Sequence, residues 1–292
     1  MKPSTLYRGN LWRVATNVAT SIGPKNAENF ARSMASLYGK LNSKRCEIVI
    51  GNLLPVLDGN RSEAQAAADR LFRNFGQKLA DLWRYESGAP IDGLIKDSLQ
   101  WERFLAAHNA GRGTLLLTPH LGNWEFGAPL LTTRGVNLLV LTRAEPQSSF
   151  TDLRQKARAR WGIETLVVGD DPFAFVEVIR RLEKGAVVAL LVDRPAESSA
   201  VPVTLFGHSF RASIAAAELA RATGCALLPV ILPRVEGGYR AEVLPQIPYD
   251  RARIRSREAR IELTQDIMRA FEPSVRQYLD QWYHFVPVWG AD

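Results

Sequence analysis

The second half of the chain alternates between short apolar runs and stretches with the three-to-four-residue spacing of amphipathic helices. Apolar runs of this length, bounded by turn residues, predict buried strands, and the stretches between them predict helices. The predicted strands cover residues 115–118, 137–142, 165–168, 186–192, 226–232 and 239–243. The predicted helices cover residues 124–133, 150–161, 172–184 and 212–223, followed by a helical stretch over 256–278 that Pro273 interrupts.

Glycines mark the ends of the four shorter predicted helices. Gly135, Gly162, Gly185 and Gly224 each follow one of them, where a helix favours a residue with positive φ. Strands and helices that alternate in this way predict an α/β fold, with a mostly parallel central sheet flanked by helices.

The first hundred residues have a helical pattern with little sign of strands. Residues 26–84 follow helical periodicity, with a loop at 55–61 and an amphipathic helix at 64–83. We find no internal repeat and no flexible linker. We therefore expect a single domain over residues 1–292, in which a helical preface (1–100) precedes an α/β core (101–292).

Apolar residues also recur at broadly helical spacing between residues 6 and 22, with arginines among them. This pattern predicts an amphipathic helix and leaves two interpretations open. The apolar stripe either covers the core of the fold, or it lies on a membrane with Trp12 and the arginines against anionic headgroups.

Composition narrows the range of partners and compartments. Thirty-seven Lys and Arg against 30 Asp and Glu give a net charge of +7, which favours anionic surfaces. The basic residues are dispersed and accompany no recognised nucleic-acid motif, so we expect no nucleic-acid partner. Cys46 and Cys225 form no metal or redox motif, and they indicate a reducing compartment. The longest apolar run, 186–192, is too short to cross a bilayer, and we expect neither a spanning helix nor a signal peptide.

A histidine and a carboxylate stand just after the first predicted strand of the core. Residues five apart do not share a helical face, so a turn must separate His120 from Glu125. Asn123 is a suitable N-cap, which places Glu125 in the first turn of the next helix. There the carboxylate stays ionised and can hold one ring nitrogen of His120, leaving the other free as a general base. The alternative is a structural histidine bonded to a loop carbonyl, although catalytic groups favour the carboxyl ends of strands in open α/β sheets.

Several other catalytic motifs are absent from the sequence. It contains no H-E-x-x-H, no G-x-x-x-x-G-K-[ST], no G-x-S-x-G and no paired C-x-x-C. Gly207-His-Ser-Phe-Arg211 is the nearest approach to a nucleophile elbow, and we interpret it as a turn.

Four sequence blocks together resemble one known family. They are His120-x4-Glu125 after an apolar strand, Leu191-Val-Asp-Arg194 with Val201-Pro-Val-Thr-Leu-Phe-Gly207, the segment Ala217 to Pro229, and Gln281-Trp-Tyr-His-Phe285. The pattern resembles the lipid A biosynthesis lauroyl/myristoyl acyltransferases and the related mycobacterial phosphatidylinositol mannoside acyltransferases. This resemblance runs from about Arg45 to the last residues of the sequence.

The resemblance implies a glycerolipid-acyltransferase-like fold and an enzyme that moves a fatty acyl chain to a hydroxyl of a glycolipid, such as a lipid A precursor. The acyl donor would be a thioester of acyl carrier protein or coenzyme A, and no other cofactor is expected. His120 would abstract the hydroxyl proton while Glu125 orients it, without a covalent acyl-enzyme. The alternatives are a lysophospholipid or other polar-lipid acyltransferase and, without catalysis, a basic membrane-binding protein.

We assign five further residues to substrate binding: Asn123, Arg154, Arg158, Asp193 and Arg194. By resemblance, Arg158 is the candidate donor to the oxyanion or to a substrate phosphate. Arg154 and Arg158 share a helical face that either holds phosphate or an acidic carrier, or is solvated. Asp193 and Arg194 end a buried strand, either as site residues or as a local ion pair. We expect a peripheral protein at the cytoplasmic face of the inner membrane, bound to an anionic surface.

Overall fold

The computed structural model describes residues 9–90, 93–143, 148–168 and 172–290. Its N-terminal part is helical, as the sequence pattern predicts. The helices are α1 (Gly9–Ser21), α2 (Pro24–Leu41), α3 (Ser43–Leu53) and α4 (Arg61–Glu86), with a 3-10 turn at Leu54–Leu57. Side chains cap two of them, because Asn42 accepts from the backbone N–H of Arg45 and Asn60 from that of Glu63.

The rest of the described chain alternates between strands and helices. The helices are α5 (Trp101–Asn109), α6 (Gly127–Thr132), α7 (Ser148–Ala159), α8 (Pro172–Glu183), α9 (Ala215–Thr223), α10 (Arg257–Arg269) and α11 (Glu272–Gln277). The strands are β1 (Ile95–Leu99), β2 (Thr114–Thr118), β3 (Leu138–Arg143), β4 (Glu164–Val168), β5 (Val187–Leu191), β6 (Ala200–Leu205), β7 (His208–Ser213), β8 (Ala226–Ile231), β9 (Arg234–Val235) and β10 (Gly238–Val243).

The central sheet has the order β1-β10-β8-β2-β5-β3-β4, with β9 paired to β10. Strands β8, β2, β5, β3 and β4 run parallel to one another, and β10 is antiparallel to β8. The predicted fold class, a mostly parallel sheet flanked by helices with an N-terminal helical region, is therefore confirmed. Each of the six predicted strands is present to within a residue or two, and Gly135, Gly162, Gly185 and Gly224 all have positive φ.

The sequence pattern missed two strand features. Strand β1 lies inside residues 1–100, the predicted helical preface, yet it pairs in parallel with β10 at the edge of the sheet. Strands β6 and β7 form an antiparallel hairpin outside the main sheet. The hairpin turn falls at Phe206 and Gly207, whereas His208 to Arg211 belong to β7, so the interpretation of Gly207–Arg211 as a turn is right only for Gly207.

The two faces of the sheet belong to different apolar clusters. Leu115 and Leu117 of β2 pack in a cluster that also contains buried residues of α3, α4, α9 and α10. Leu116, between them, faces the opposite side with Phe104 of α5 and Leu131 of α6. This alternation is the period of two that a strand imposes, and it makes β2 a continuous apolar run because both of its faces are buried.

Helix α1 buries part of its apolar stripe and leaves the rest exposed. Trp12 and Ala19 are buried against the fold, whereas other apolar side chains of α1 and of the neighbouring α2 are exposed. We call this exposed set the apolar rim; it consists of Leu11, Val14, Val18, Ile22, Phe30, Met34, Leu37, Tyr38 and Leu41. Placing Trp12 on membrane headgroups was wrong, because its indole donates to Glu86 inside the protein. Within the described residues, no helix has both the length and the apolar character needed to cross a bilayer.

Candidate active site

His120 lies in the loop that follows β2, at the carboxyl edge of the sheet. The C-terminal segment fixes the backbone of this loop through two hydrogen bonds: the His120 carbonyl accepts from the N–H of Tyr283 (2.8 Å), and the Gly122 N–H donates to the carbonyl of Gln281 (3.0 Å). Gly122 has φ +64°, and a Cβ there would overlap the backbone of Leu232. A glycine is therefore required between the histidine and the helix that follows.

Asp193 holds the imidazole of His120. It follows β5, the parallel neighbour of β2, so the two side chains emerge side by side at the same edge. Asp193 Oδ1 lies 2.6 Å from His120 Nδ1, and Oδ2 accepts from the His120 backbone N–H at 2.9 Å. Two further donors reach Oδ2, Trp282 Nε1 at 3.0 Å and His284 Nε2 at 2.9 Å. The carboxylate is fully buried, and the four contacts fix its orientation.

Burial and charge set the protonation of this pair. Burial lowers the pKa of His120 to about 4, against the opposing influence of Asp193. Burial alone would raise the pKa of Asp193, but the facing His120 and His284 hold it well below 3.8. At neutral pH the pair is thus a carboxylate and a neutral imidazole, with Nδ1–H donating to Asp193 and Nε2 unprotonated.

Glu125 does not hold His120, contrary to the sequence-based prediction. It lies in the 3-10 turn Trp124–Phe126 and pairs with two arginines of α7. Arg154 Nη2 contacts Glu125 Oε1 at 2.7 Å, and Arg158 contacts both carboxylate oxygens through Nε and Nη2 at 2.9–3.2 Å. Arg154 also pairs with Glu86. The sequence spacing suggested the wrong carboxylate because strand pairing brings Asp193, 73 residues away, closer than Glu125.

The other predicted site residues are placed as follows. Arg154 and Arg158 are buried, so the solvated alternative for them is wrong. Arg194 lines the cavity beside His120 and is not paired with Asp193, whose ion-pair partners among the described residues are His120 and His284. Asn123 is fully buried at the N-cap position, but its side chain makes no capping bond and has no hydrogen-bond partner among the described residues.

Sequence reasoning missed three residues of this site. Trp282 and His284 belong to the C-terminal aromatic-histidine block, which the sequence singled out without giving its residues a role. Lys78 gave no signal, because a lysine in an amphipathic helix is ordinarily solvated. In the structure it is 4% exposed and its ammonium lies 2.9 Å from the centre of the Trp124 ring.

The same cluster has the composition of a metal site, because ligand atoms of His120, Asp193 and His284 all lie within 4.8 Å of one another. In the structure these atoms are joined by hydrogen bonds, and His120 Nδ1 and His284 Nε2 both face Asp193. This arrangement suits a base held by a carboxylate.

His120 faces a cavity of about 1500 Å³, larger than the roughly 300–1,000 Å³ of typical small-molecule pockets. Its floor is one face of the sheet, formed by alternate strand residues such as Leu116, Val140, Ala189 and Val230. Much of the apolar rim, on α1 and α2, also lines the cavity. Exposed apolar side chains and the histidine therefore share one mostly apolar cavity.

These features together define a class of site: a histidine held by a carboxylate at the sheet edge, lining a large and mostly apolar cavity. The protein belongs to the family of bacterial lipid A biosynthesis acyltransferases, whose family model matches residues 10–290.

Among curated proteins, the chain is similar to the phosphatidylinositol mannoside acyltransferases of Mycolicibacterium smegmatis, with 28% identity over 67% of this chain and 63% of the relative, and Mycobacterium tuberculosis, with 30% over 64% and 58%. The matched region thus spans less than two thirds of these relatives. Among solved structures, the 1-acyl-sn-glycerophosphate acyltransferase of Thermotoga maritima matches with 13% identity and a TM-score of 0.37, over 85% of this chain and 97% of that one.

Proposed function

We propose that the protein transfers a fatty acyl chain from an acyl thioester, carried by acyl carrier protein or coenzyme A, to a hydroxyl group of a glycolipid. The observation that carries the proposal is the pairing of His120 with Asp193 beside a large and mostly apolar cavity that His120 lines. A base that can activate a hydroxyl and a cavity that can hold an acyl chain are the two requirements of this reaction.

The chemistry follows from the protonation state of the pair. With Nδ1–H fixed on Asp193, Nε2 of His120 takes the proton of the acceptor hydroxyl as its oxygen attacks the thioester carbonyl carbon. The tetrahedral intermediate then collapses, the C–S bond breaks, and the imidazolium returns the proton to the leaving thiolate. Asp193 stabilises the imidazolium between these steps.

No residue is required to carry the acyl group covalently. Cys46 is half-buried and Cys225 buried, and neither lines the cavity. Ser209, in the segment interpreted as a turn, is exposed on the β6–β7 hairpin. Direct transfer from donor to acceptor is therefore the simplest route.

Glu125 has a positioning role in this proposal. Its carboxylate fixes the guanidinium groups of Arg154 and Arg158 beside the cavity, and Glu125 directly follows Trp124, whose ring contacts that of His120. The family motif H-x4-E thus supplies the base and the anchor of an arginine pair, whereas Asp193 orients the base.

The glycolipid acceptor is supported by the names of the similar mycobacterial enzymes and by the family model. A peripheral location on an anionic membrane, at the cytoplasmic face, is supported by the apolar rim and the net charge of +7. Because much of the rim lines the cavity that also contains His120, a lipid could enter it from the bilayer without crossing water.

The test is to incubate the purified protein with acyl-carrier-protein and coenzyme A thioesters and with a panel of glycolipids and lysophospholipids, and to measure acyl gain by mass spectrometry. We expect one added acyl chain on a glycolipid. His120→Ala should lower the rate about 10²–10⁴-fold because the general base is lost.

His208→Ala is the matched control, because His208 is exposed on the β6–β7 hairpin and does not line the cavity. It should keep the wild-type rate. Acylation of lysophospholipid alone would move the assignment to the polar-lipid alternative, and no acylation of any acceptor would leave a membrane-binding protein as the better explanation.

A further inference from the structure

Lys78 is a buried cation whose charge no carboxylate of the described residues neutralises by a direct contact. It lies on α4, within the helical preface, and lines the cavity. Three aromatic rings surround its ammonium, with centroids at 2.9 Å (Trp124), 5.2 Å (Tyr283) and 5.9 Å (Phe75). Burying an ammonium without an anionic partner is costly, which favours a ligand that supplies negative charge.

The nearby arginines are differently engaged. Both η nitrogens of Arg154 contact carboxylates, Glu86 and Glu125, while Nε and Nη2 of Arg158 hold Glu125. Arg158, the donor that the family resemblance suggests for the oxyanion, is therefore oriented toward Glu125. Lys78 retains ammonium hydrogens that no described residue accepts, and it has the same cavity in front of it.

Lys78 is also within reach of the reacting atoms. Trp124 contacts both groups: its ring centroid lies 4.9 Å from that of His120 and 2.9 Å from the Lys78 ammonium. The sum of these two distances is the upper limit for the separation of ammonium and imidazole centroid. In the reaction, the acceptor hydroxyl lies about 3 Å from Nε2 of His120, and the thioester carbonyl carbon lies about 3 Å beyond that hydroxyl. The carbonyl oxygen then lies within the same distance of His120 as the Lys78 ammonium does.

We propose that Lys78 is a catalytic residue that donates to the carbonyl oxygen of the acyl thioester and stabilises the negative charge that this oxygen acquires in the tetrahedral intermediate. This inference rests on the proposed function. In the step, the hydroxyl oxygen bonds to the carbonyl carbon, the C=O electron pair moves to oxygen, and the proton goes to His120. The oxyanion is then the missing counter-charge of Lys78, and it exists only in the intermediate.

The electrostatic surroundings agree with this role. Burial lowers the pKa of Lys78 well below 10.5, while Glu125 raises it and Arg154 lowers it. The ring of Tyr283, in the C-terminal segment, also lies beside the ammonium, with its centroid at 5.2 Å. A ligand that develops negative charge beside the ammonium favours its protonated form, so the interaction strengthens as the reaction proceeds.

The test compares steady-state kinetics of wild type, Lys78→Met and Lys78→Gln with the purified enzyme, an acyl thioester and the glycolipid acceptor that wild type uses. We expect Lys78→Met to lower kcat about 10²–10³-fold with the KM of both substrates changed less than about threefold. Lys78→Gln, which keeps an N–H donor, should recover part of the loss. Lys96→Met, on the exposed edge strand β1, is the matched control and should leave kcat unchanged.

Thermal unfolding of each variant separates this role from a structural one. Lys78→Met removes an unneutralised buried charge and should not lower the melting temperature; if it fails to fold, Lys78→Gln carries the comparison. Unchanged kcat in the folded variants would overturn the inference, and so would a raised KM with unchanged kcat, which would assign Lys78 to substrate binding. Absence of transfer by wild type would overturn the proposed function itself.

Discussion

Asp193 accepts four hydrogen bonds, and each donor restrains a different part of the site. The two bonds from His120 fix its ring and its backbone, while those from Trp282 and His284 join the C-terminal segment to the end of β5. One buried carboxylate thus sets the tautomer of the base and holds the loop that carries it. Its removal should affect catalysis and stability together.

Asp193→Asn should lower the transfer rate about 10²–10⁴-fold, because an amide nitrogen must face one of the four donors and the His120 tautomer is no longer fixed. The unpaired buried donor should also lower the free energy of unfolding by about 1–3 kcal/mol. Rates and urea unfolding measure the two effects. Asp97→Asn, on the exposed edge strand, is the control and should change neither; wild-type activity in Asp193→Asn would contradict the assignment of the orienting residue.

The lowered pKa of His120 predicts an unusual pH profile. Because its pKa is about 4 in the folded protein, the base stays unprotonated at pH 6.5, where an ordinary histidine is half protonated. We expect kcat/KM to be the same at pH 6.5 and 7.5 and to fall only as pH approaches 4. Between pH 6.5 and 4, His120 is protonated in the unfolded chain but not in the folded protein. The free energy of unfolding should therefore fall as pH falls from 6.5. A half-maximal rate near pH 6.5 would contradict this.

At the scale of elements, helices α2 and α4 approach closely at Gly76. A Cβ on Gly76 would overlap the Ala31 backbone and the Ala35 side chain, whereas one on Gly51 in α3 would meet nothing within 4 Å. Gly76→Ala should therefore destabilise the protein by about 1–3 kcal/mol. Gly51→Ala should stabilise it by about 0.5–1 kcal/mol, because alanine favours a helix more than glycine does. Denaturant unfolding of the two variants, whose free energies of unfolding should change in opposite directions, tests the packing of the preface. Equal changes in stability for the two variants would contradict the close approach of α2 and α4 at Gly76.

The elements that could be predicted from sequence are those with a simple burial pattern. Strands β2, β5 and β8 are covered on both faces, so each is a continuous apolar run. Strand β1 could not be found in this way, because an edge strand with Lys96 and Asp97 exposed has neither an apolar run nor a clean alternation. Strand β6 alternates between buried and exposed positions, but Pro202 within it makes the segment look like a loop.

The site was predictable only as far as neighbours in sequence could show it. His120 follows a predicted strand within a short motif, which was enough to select it. Its partner Asp193 could not be identified from residue spacing. Asp193 lies beside His120 because β2 and β5 pair in parallel, and the sequence does not show which strands are adjacent. The burial of Lys78 depends in the same way on how α4 packs over the Trp124 turn.

At the scale of the whole molecule, the apolar rim and the net charge predict binding to anionic vesicles. Val14→Glu with Val18→Glu places two carboxylates on exposed positions of α1 and should weaken sedimentation with anionic vesicles at least tenfold, because both apolar contact and charge attraction are reduced. Asn17→Glu, exposed on the same helix but outside the rim, is the control for charge alone. Equal binding by the double variant and wild type would show that another surface makes the contact.

The apolar rim lines the same cavity as His120, so under the proposed function the acceptor lipid enters the site from the membrane. An enzyme that draws its acceptor sideways from a bilayer encounters that lipid in two dimensions. Its rate should then follow the mole fraction of acceptor within the membrane instead of its concentration in the bulk solution. Diluting the acceptor with inert lipid, at a fixed total amount of acceptor, should slow turnover even though the enzyme remains fully bound to the vesicles.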